Sequence, residues 1–218
     1  GFQLYRPDGT LITQSFTYPE PVTIDTFYTN DEGWLITPEK LEYGTGYSLV
    51  EVYAPYGYVV NSEPVYFDVV QDASADEGGI AVIEVIKENV AQKGIIKISK
   101  TGEVFSSVTE SEGVYQPVYS VQGLAGAVYE ITAAEDIVTP DGTLRYTAGE
   151  VIDTVTTADT GLAESEPLYL GKYEIREITA PYGMVLNGEV HTAELTYAGQ
   201  EIEITETAAS FYNERQKA

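Results

Sequence analysis

Three residues able to do covalent chemistry sit where strand alternation would turn them inward. Successive side chains of a strand point to opposite faces. In Gly94-Ile95-Ile96-Lys97-Ile98-Ser99-Lys100, Lys100 therefore shares a face with Ile96 and Ile98, while Lys97 falls with the more polar set. In Lys172-Tyr173-Glu174-Ile175-Arg176-Glu177, the residue Glu177 joins Tyr173 and Ile175, opposite Lys172, Glu174 and Arg176. Near the C-terminal end Ala209, Phe211 and Asn213 share a face. A lysine amine is a nucleophile only when neutral, and burial favours that form. A glutamic acid donates a proton only when protonated, and burial favours that form as well. Each placement has a plain alternative. The lysine can snorkel to water, the glutamate can end its strand in solvent, and the asparagine can open a turn.

An internal repeat weakens the plain alternative for the glutamate. Gly46-Tyr47-Ser48-Leu49-Val50-Glu51-Val52-Tyr53-Ala54-Pro55-Tyr56-Gly57-Tyr58 returns as Lys172-Tyr173-Glu174-Ile175-Arg176-Glu177-Ile178-Thr179-Ala180-Pro181-Tyr182-Gly183-Met184. The shared pattern is Tyr-x-apolar-x-Glu-x-x-Ala-Pro-Tyr-Gly, and Asn61 and Asn187 follow in step. Two more blocks keep the same order. Pro7-Asp8-Gly9-Thr10 corresponds to Pro140-Asp141-Gly142-Thr143, and Asn89 with Gln92-Lys93 corresponds to Asn213 with Gln216-Lys217. Repeats of this length mark repeated structural units. The expected division is a first domain over 1–92 and a second over 93–218, with the boundary near Gln92–Gly94.

The elements that carry these residues read as short strands between turns. Tyr, Val, Ile and Thr supply most apolar and half-apolar positions, and no long stretch has helical spacing. Asp-Gly within each Pro-Asp-Gly-Thr block is a hairpin signal. Pro55 and Pro181 close the glutamate strands, because proline cannot donate to a central ladder. The fold class is all-β, with two tandem sandwiches. The 18 tyrosines are expected to serve core and sheet packing rather than binding platforms.

Charge and composition exclude several functions. The formal charge of −24 argues against nucleic acid and against anionic membranes. There is no cysteine, hence no disulfide, thiolate metal site or cysteine nucleophile. No EF-hand spacing is present, and the single histidine, His191, is expected at a surface strand position. No metal and no cofactor are expected. No pair of carboxylates stands out for a hydrolase once the repeat accounts for Glu51 and Glu177.

The ordered set of an early lysine, the glutamate motif and Phe211-x-Asn213 resembles the collagen-adhesin B-type domain, a prealbumin-like module of Gram-positive surface proteins and pilins. Leu124-Ala125-Gly126-Ala127-Val128-Tyr129 is similar to that family's second-strand signature. The resemblance covers 94–218 well, and 1–93 apart from an opening strand. It implies immunoglobulin-like, transthyretin-like sandwiches. It also implies a spontaneous isopeptide bond, in which Lys100 attacks the Asn213 side-chain amide, ammonia leaves and Glu177 is the catalyst. Such a reaction is one turnover of the chain on itself, not enzymatic work on an outside substrate. The implied role is a structural stalk module of an adhesin or pilus-like protein, extracellular and at the cell surface. Attachment to the cell wall would run through a region not in this chain, and the partners would be neighbouring domains of the same protein. The alternative is an adhesive module gripping a host matrix protein or glycan.

The first domain departs from the pattern. Glu51 and Asn89 hold the matching places, but no lysine does. Lys40 lies in a turn-like stretch, and Lys87 is too close to Asn89 in sequence. The expectation is a chain cut from something longer, whose first domain lacks its first strand and the lysine that strand would carry. The open edge so created invites strand exchange with another chain.

Overall fold

The computed structural model describes residues 1–70 and 82–217. Every regular element among them is a strand. The chain divides into two compact units, Gly1–Val90 and Ala91–Ala218. The division falls two residues before the expected one. Gln92 explains the difference: it is buried within the second unit, where its side-chain amide donates to the Gly199 carbonyl and accepts from the Ala198 N–H.

The first unit contains β1 (Phe2–Tyr5), β2 (Gln14–Phe16), β3 (Val22–Ile24), β4 (Gly44–Glu51), β5 (Tyr58–Val59) and β6 (Val65–Val69), and β7 (Val90–Ala91) lies at the division. An antiparallel sheet runs in the order β1-β4-β6. Its register sets Phe2 opposite Glu51 and Leu4 opposite Leu49. Alternation then gathers Phe2, Leu4, Tyr47 and Leu49 on one face, where they form a core with Ile12 and Phe27. The chain between β1 and β2 reverses at Pro7-Asp8-Gly9-Thr10. There the Thr10 N–H donates to Asp8 Oδ1 and Gly9 takes a φ of 82°, a left-handed value that glycine accepts without penalty.

The second unit contains β8 (Lys93–Ser111), β9 (Val114–Gly123), β10 (Val128–Ala133), β11 (Ile137–Val138), β12 (Leu144–Tyr146), β13 (Val151–Thr156), β14 (Leu162–Glu164), β15 (Leu168–Tyr169), β16 (Gly171–Thr179), β17 (Val190–Leu195) and β18 (Ile204–Asn213). One sheet runs β13-β10-β16-β17. The other is built on β8, with β18 parallel to it from Lys93 to Gly102 and with β14, β15 and β9 antiparallel. Inward residues of both sheets meet in one core: Ile96, Ile98 and Phe211 from the second sheet; Tyr129, Ile131, Tyr173, Ile175 and Leu195 from the first. The turn at Pro140-Asp141-Gly142-Thr143 repeats the one at Pro7, with the Thr143 N–H on Asp141 Oδ1 and a φ of 80° at Gly142.

Two features depart from expectation. β18 ends at Asn213, opposite Gly102, yet β8 and β9 continue as a two-stranded arm to Ser111 and Val114. His191, expected at a surface strand position, lies on a strand but is only partly exposed. It is half-buried on β17, its ring 4.2 Å from that of Phe211, because the sheet edge there still faces the core. The tyrosines divide: Tyr47, Tyr129 and Tyr173 are buried, while Tyr18, Tyr56, Tyr66 and Tyr182 are exposed.

Candidate functional site

Local backbone geometry holds Lys100 in place. Its N–H donates to the Gly161 carbonyl, and its own carbonyl accepts from the Leu124 N–H. Gly161 has a φ of 79°, and a Cβ there would lie 2.3 Å from the Lys100 carbonyl oxygen. Glycine at 161 therefore lets the turn before β14 close against β8. The Lys100 side chain follows Ile96 and Ile98 inward and is 0% exposed. Lys97, on the outward face, pairs with Glu206 at 2.7 Å.

Glu177 ends the inward stripe Tyr173-Ile175 of β16 and is 2% exposed. Asn213 ends β18 and is 1% exposed. The parallel register puts Phe211 beside Lys100 and Asn213 beside Gly102. Lysine is long enough to reach one residue pair along, and the three side chains meet. Lys100 Nζ lies 3.0 Å from Glu177 Oε1 and donates to Asn213 Oδ1. Asn213 Nδ2 donates to both Glu177 oxygens at 2.9 Å. The Asn187 backbone N–H donates to Glu177 Oε2 at 2.8 Å, and the Asn187 side chain accepts from the Glu189 N–H.

Aromatic rings close the pocket. Lys100 Nζ is 5.8 Å from the Tyr129 ring centroid and 5.9 Å from that of Phe211, and the two rings are 4.6 Å apart. Desolvation in this apolar shell lowers the pKa of the Lys100 amine, and the Glu177 charge opposes the shift. An amine so held is nearer its nucleophilic form than a lysine in water. The arrangement thus sets a nucleophile, a carboxyl able to move protons and a side-chain amide in one dry cluster.

The first unit repeats half of this. Asn89 Nδ2 donates to Glu51 Oε1 at 2.7 Å and Oε2 at 2.9 Å, and the Asn61 N–H donates to Glu51 Oε2 at 2.8 Å. Glu51 is buried and Asn89 half-buried. Among the described residues no lysine pairs with Glu51, and Lys87 donates instead to the Glu63 carbonyl. Nor do three His, Asp or Glu side chains converge on a metal position among those residues.

The sequence reading missed two participants. The Asn187 N–H was visible only as a repeated asparagine, with Asn61 as its twin. The Tyr129 ring was visible as part of a signature, with nothing to say that it walls the site.

A family model described as SpaA, prealbumin-like fold domain, matches residues 1–79 and 118–208. These segments make up well over half of the chain, and the chain belongs to that family. They include Glu51 and Glu177 and leave out Lys100, Asn89 and Asn213. No curated protein sequence matches. Among solved structures, the TIE protein of Bacillus anthracis is 21% identical over 98% of this chain, with a TM-score of 0.51. The chain spans 30% of that protein's length. The minor pilin of Streptococcus agalactiae is 15% identical over 100% of this chain and 83% of its own, with a TM-score of 0.38. The full-length major pilin SpaD of Corynebacterium diphtheriae is 20% identical over 57% of this chain and 32% of its own, also at 0.38. The first of these supports the all-β fold.

Proposed function

We propose that this chain is a load-bearing module of a Gram-positive cell-surface protein, an adhesin stalk or a pilus-like shaft, whose second unit is stapled by a Lys100–Asn213 isopeptide bond. One observation carries the reading: Lys100, Glu177 and Asn213 converge in a single buried cluster. In the reaction, Lys100 passes a proton to Glu177 and its neutral Nζ attacks Asn213 Cγ. The Nζ–Cγ bond forms and the Cγ–Nδ2 bond breaks. Nδ2 leaves as ammonia, carrying its own two protons and one that began on Nζ. A second Nζ proton ends on Glu177 as the neutral acid, and one stays on the new amide. Charge and atoms balance without any outside reagent. Folding supplies the proximity, which can lower such a barrier by roughly 7–11 kcal/mol.

Strand direction supports a mechanical role. β8 and β18 are parallel neighbours, so a pull on the start of one and the end of the other shears the pair along its length. A bond from Lys100 to Asn213 would carry that tension across their sequence separation of 113. The proposed partners are the neighbouring domains of the same surface protein, and the proposed location is the cell exterior. Intact mass tests the reading. The chain is expected one ammonia lighter than its sequence, and Glu177→Ala is expected at full mass.

A second reading, adhesion to a host matrix protein or glycan, is favoured by the exposed rings of Tyr28, Trp34, Tyr43 and Tyr56 on the first unit. Arrays of glycans and matrix proteins test it. Binding lost in Trp34→Ala supports adhesion, and no binding by the native chain counts against it.

A further inference from the structure

Tyr129 carries a polar atom that the arrangement above leaves unused. Its side chain is 0% exposed, and the strand register sets it opposite Glu177. Its hydroxyl is buried and has no hydrogen-bond partner among the described residues. An unpaired hydroxyl in an apolar interior is unfavourable and calls for a reason. Packing does not supply one. The first unit sets Phe2 opposite Glu51 in the same register and does without the oxygen. The hydroxyl occurs in the unit that also has the buried lysine. Burial foremost, then the Glu177 charge and the closeness of the hydroxyl to that carboxylate, raise the hydroxyl's pKa, so it remains a donor across the working pH range, beside Glu177 but without a well-aligned hydrogen bond to it.

We propose that Tyr129 is a positioning residue for the cross-linking reaction, its hydroxyl donating to the Glu177 oxygen that the departing nitrogen vacates. This role rests on the Lys100–Asn213 reading. Before reaction the Glu177 oxygens are occupied by Asn213 Nδ2, Lys100 Nζ and the Asn187 N–H. The Nζ–Cγ bond forms, the Cγ–Nδ2 bond breaks, and ammonia leaves with one proton that began on Nζ. The donor that served both Glu177 oxygens is then gone, and the new amide keeps a single N–H. The Tyr129 hydroxyl, unpaired in the reactant, takes over the freed oxygen. The bond forms as Cγ–Nδ2 breaks, so the hydroxyl holds the carboxyl in line while the protonated leaving group departs, and it stays satisfied in the product.

The test follows freshly synthesised native chain and Tyr129→Phe by intact mass over time, and examines the cross-linked native protein by proton NMR. Phenylalanine is the residue that the first unit uses at this place, so the variant tests the oxygen alone. The expected result is cross-linking slowed about tenfold in Tyr129→Phe, the scale of one unmade hydrogen bond. A protected tyrosine hydroxyl proton is also expected in the native protein and absent from Glu177→Gln. A purely structural hydroxyl would leave the rate unchanged. A lighter native chain with an equally fast Tyr129→Phe, or with no protected hydroxyl proton, overturns the role of Tyr129 alone. A native chain of full mass overturns the cross-link itself and this role with it. Should Tyr129→Phe fold poorly, the hydroxyl proton of the native protein decides.

Discussion

At the scale of single residues, the account turns on one buried amine. Lys100 and Lys97 stand three positions apart on one strand, yet one is buried beside a carboxylate and the other pairs with Glu206 at the surface. Lys97→Ala is therefore expected one ammonia lighter than its own sequence, like the native chain, and Lys100→Ala at the full mass of its sequence. The pH dependence follows from the lowered pKa of Lys100. Neutral Lys100 beside a protonated Glu177 holds the same shared proton as the ion pair, and that proton is lost as pH rises through the folded-state pKa of Lys100, which lies below the ordinary lysine value of 10.5. The rate of cross-linking in freshly folded chain should be level around neutral pH and fall as pH passes through that pKa. A rate climbing in proportion to hydroxide up to 10.5 would contradict proton transfer from Lys100 to Glu177. Alternation made the inward faces of Lys100, Glu177 and Asn213 legible, because a two-residue period needs only local sequence. The Tyr129 hydroxyl was not legible. Whether a buried oxygen finds a partner depends on the register of the neighbouring strand, which the residues of β10 do not encode alone.

At the scale of elements, the repeat and the turn chemistry carried most of the information. The glutamate strands β4 and β16 end just ahead of Pro55 and Pro181, and the two Pro-Asp-Gly-Thr turns fold alike. The arm beyond Gly102 was not foreseen. Val-Ser-Tyr alternation reads as strand wherever it lies, and the arm runs on as two strands because β18 stops at Asn213, with Arg215 beyond it pairing with Glu103 and lying over the Tyr119 ring at the arm's base. Phe105, Val108, Tyr115 and Val121 on it are exposed, and they add nothing to the core around Ile96 and Tyr173. Phe105 and Tyr119 are register partners, so a two-residue Asn-Gly turn can replace residues 106–118. That variant should still be one ammonia lighter than its own sequence, with the melting of the second unit unchanged. Full mass or a lower melting temperature would make the arm part of the folded unit.

At the scale of the whole molecule, the two units differ in the residues gathered at their buried glutamates. The second has a complete lysine, glutamate and asparagine cluster, while the first has the glutamate and asparagine without an ion-paired lysine among the described residues. In the chain-entropy model a cross-link closing a loop of about 100 residues adds about 4.7 kcal/mol. Glu177→Gln should therefore lower the thermal and protease resistance of residues 91–218 and leave that of 1–90 as it was. Equal losses in both units would point to general misfolding instead. The most direct measurement remains the intact mass of the native chain beside Glu177→Gln under denaturing conditions. The account predicts a native chain one ammonia lighter than its sequence and a variant at full mass. A native chain at full mass would contradict it.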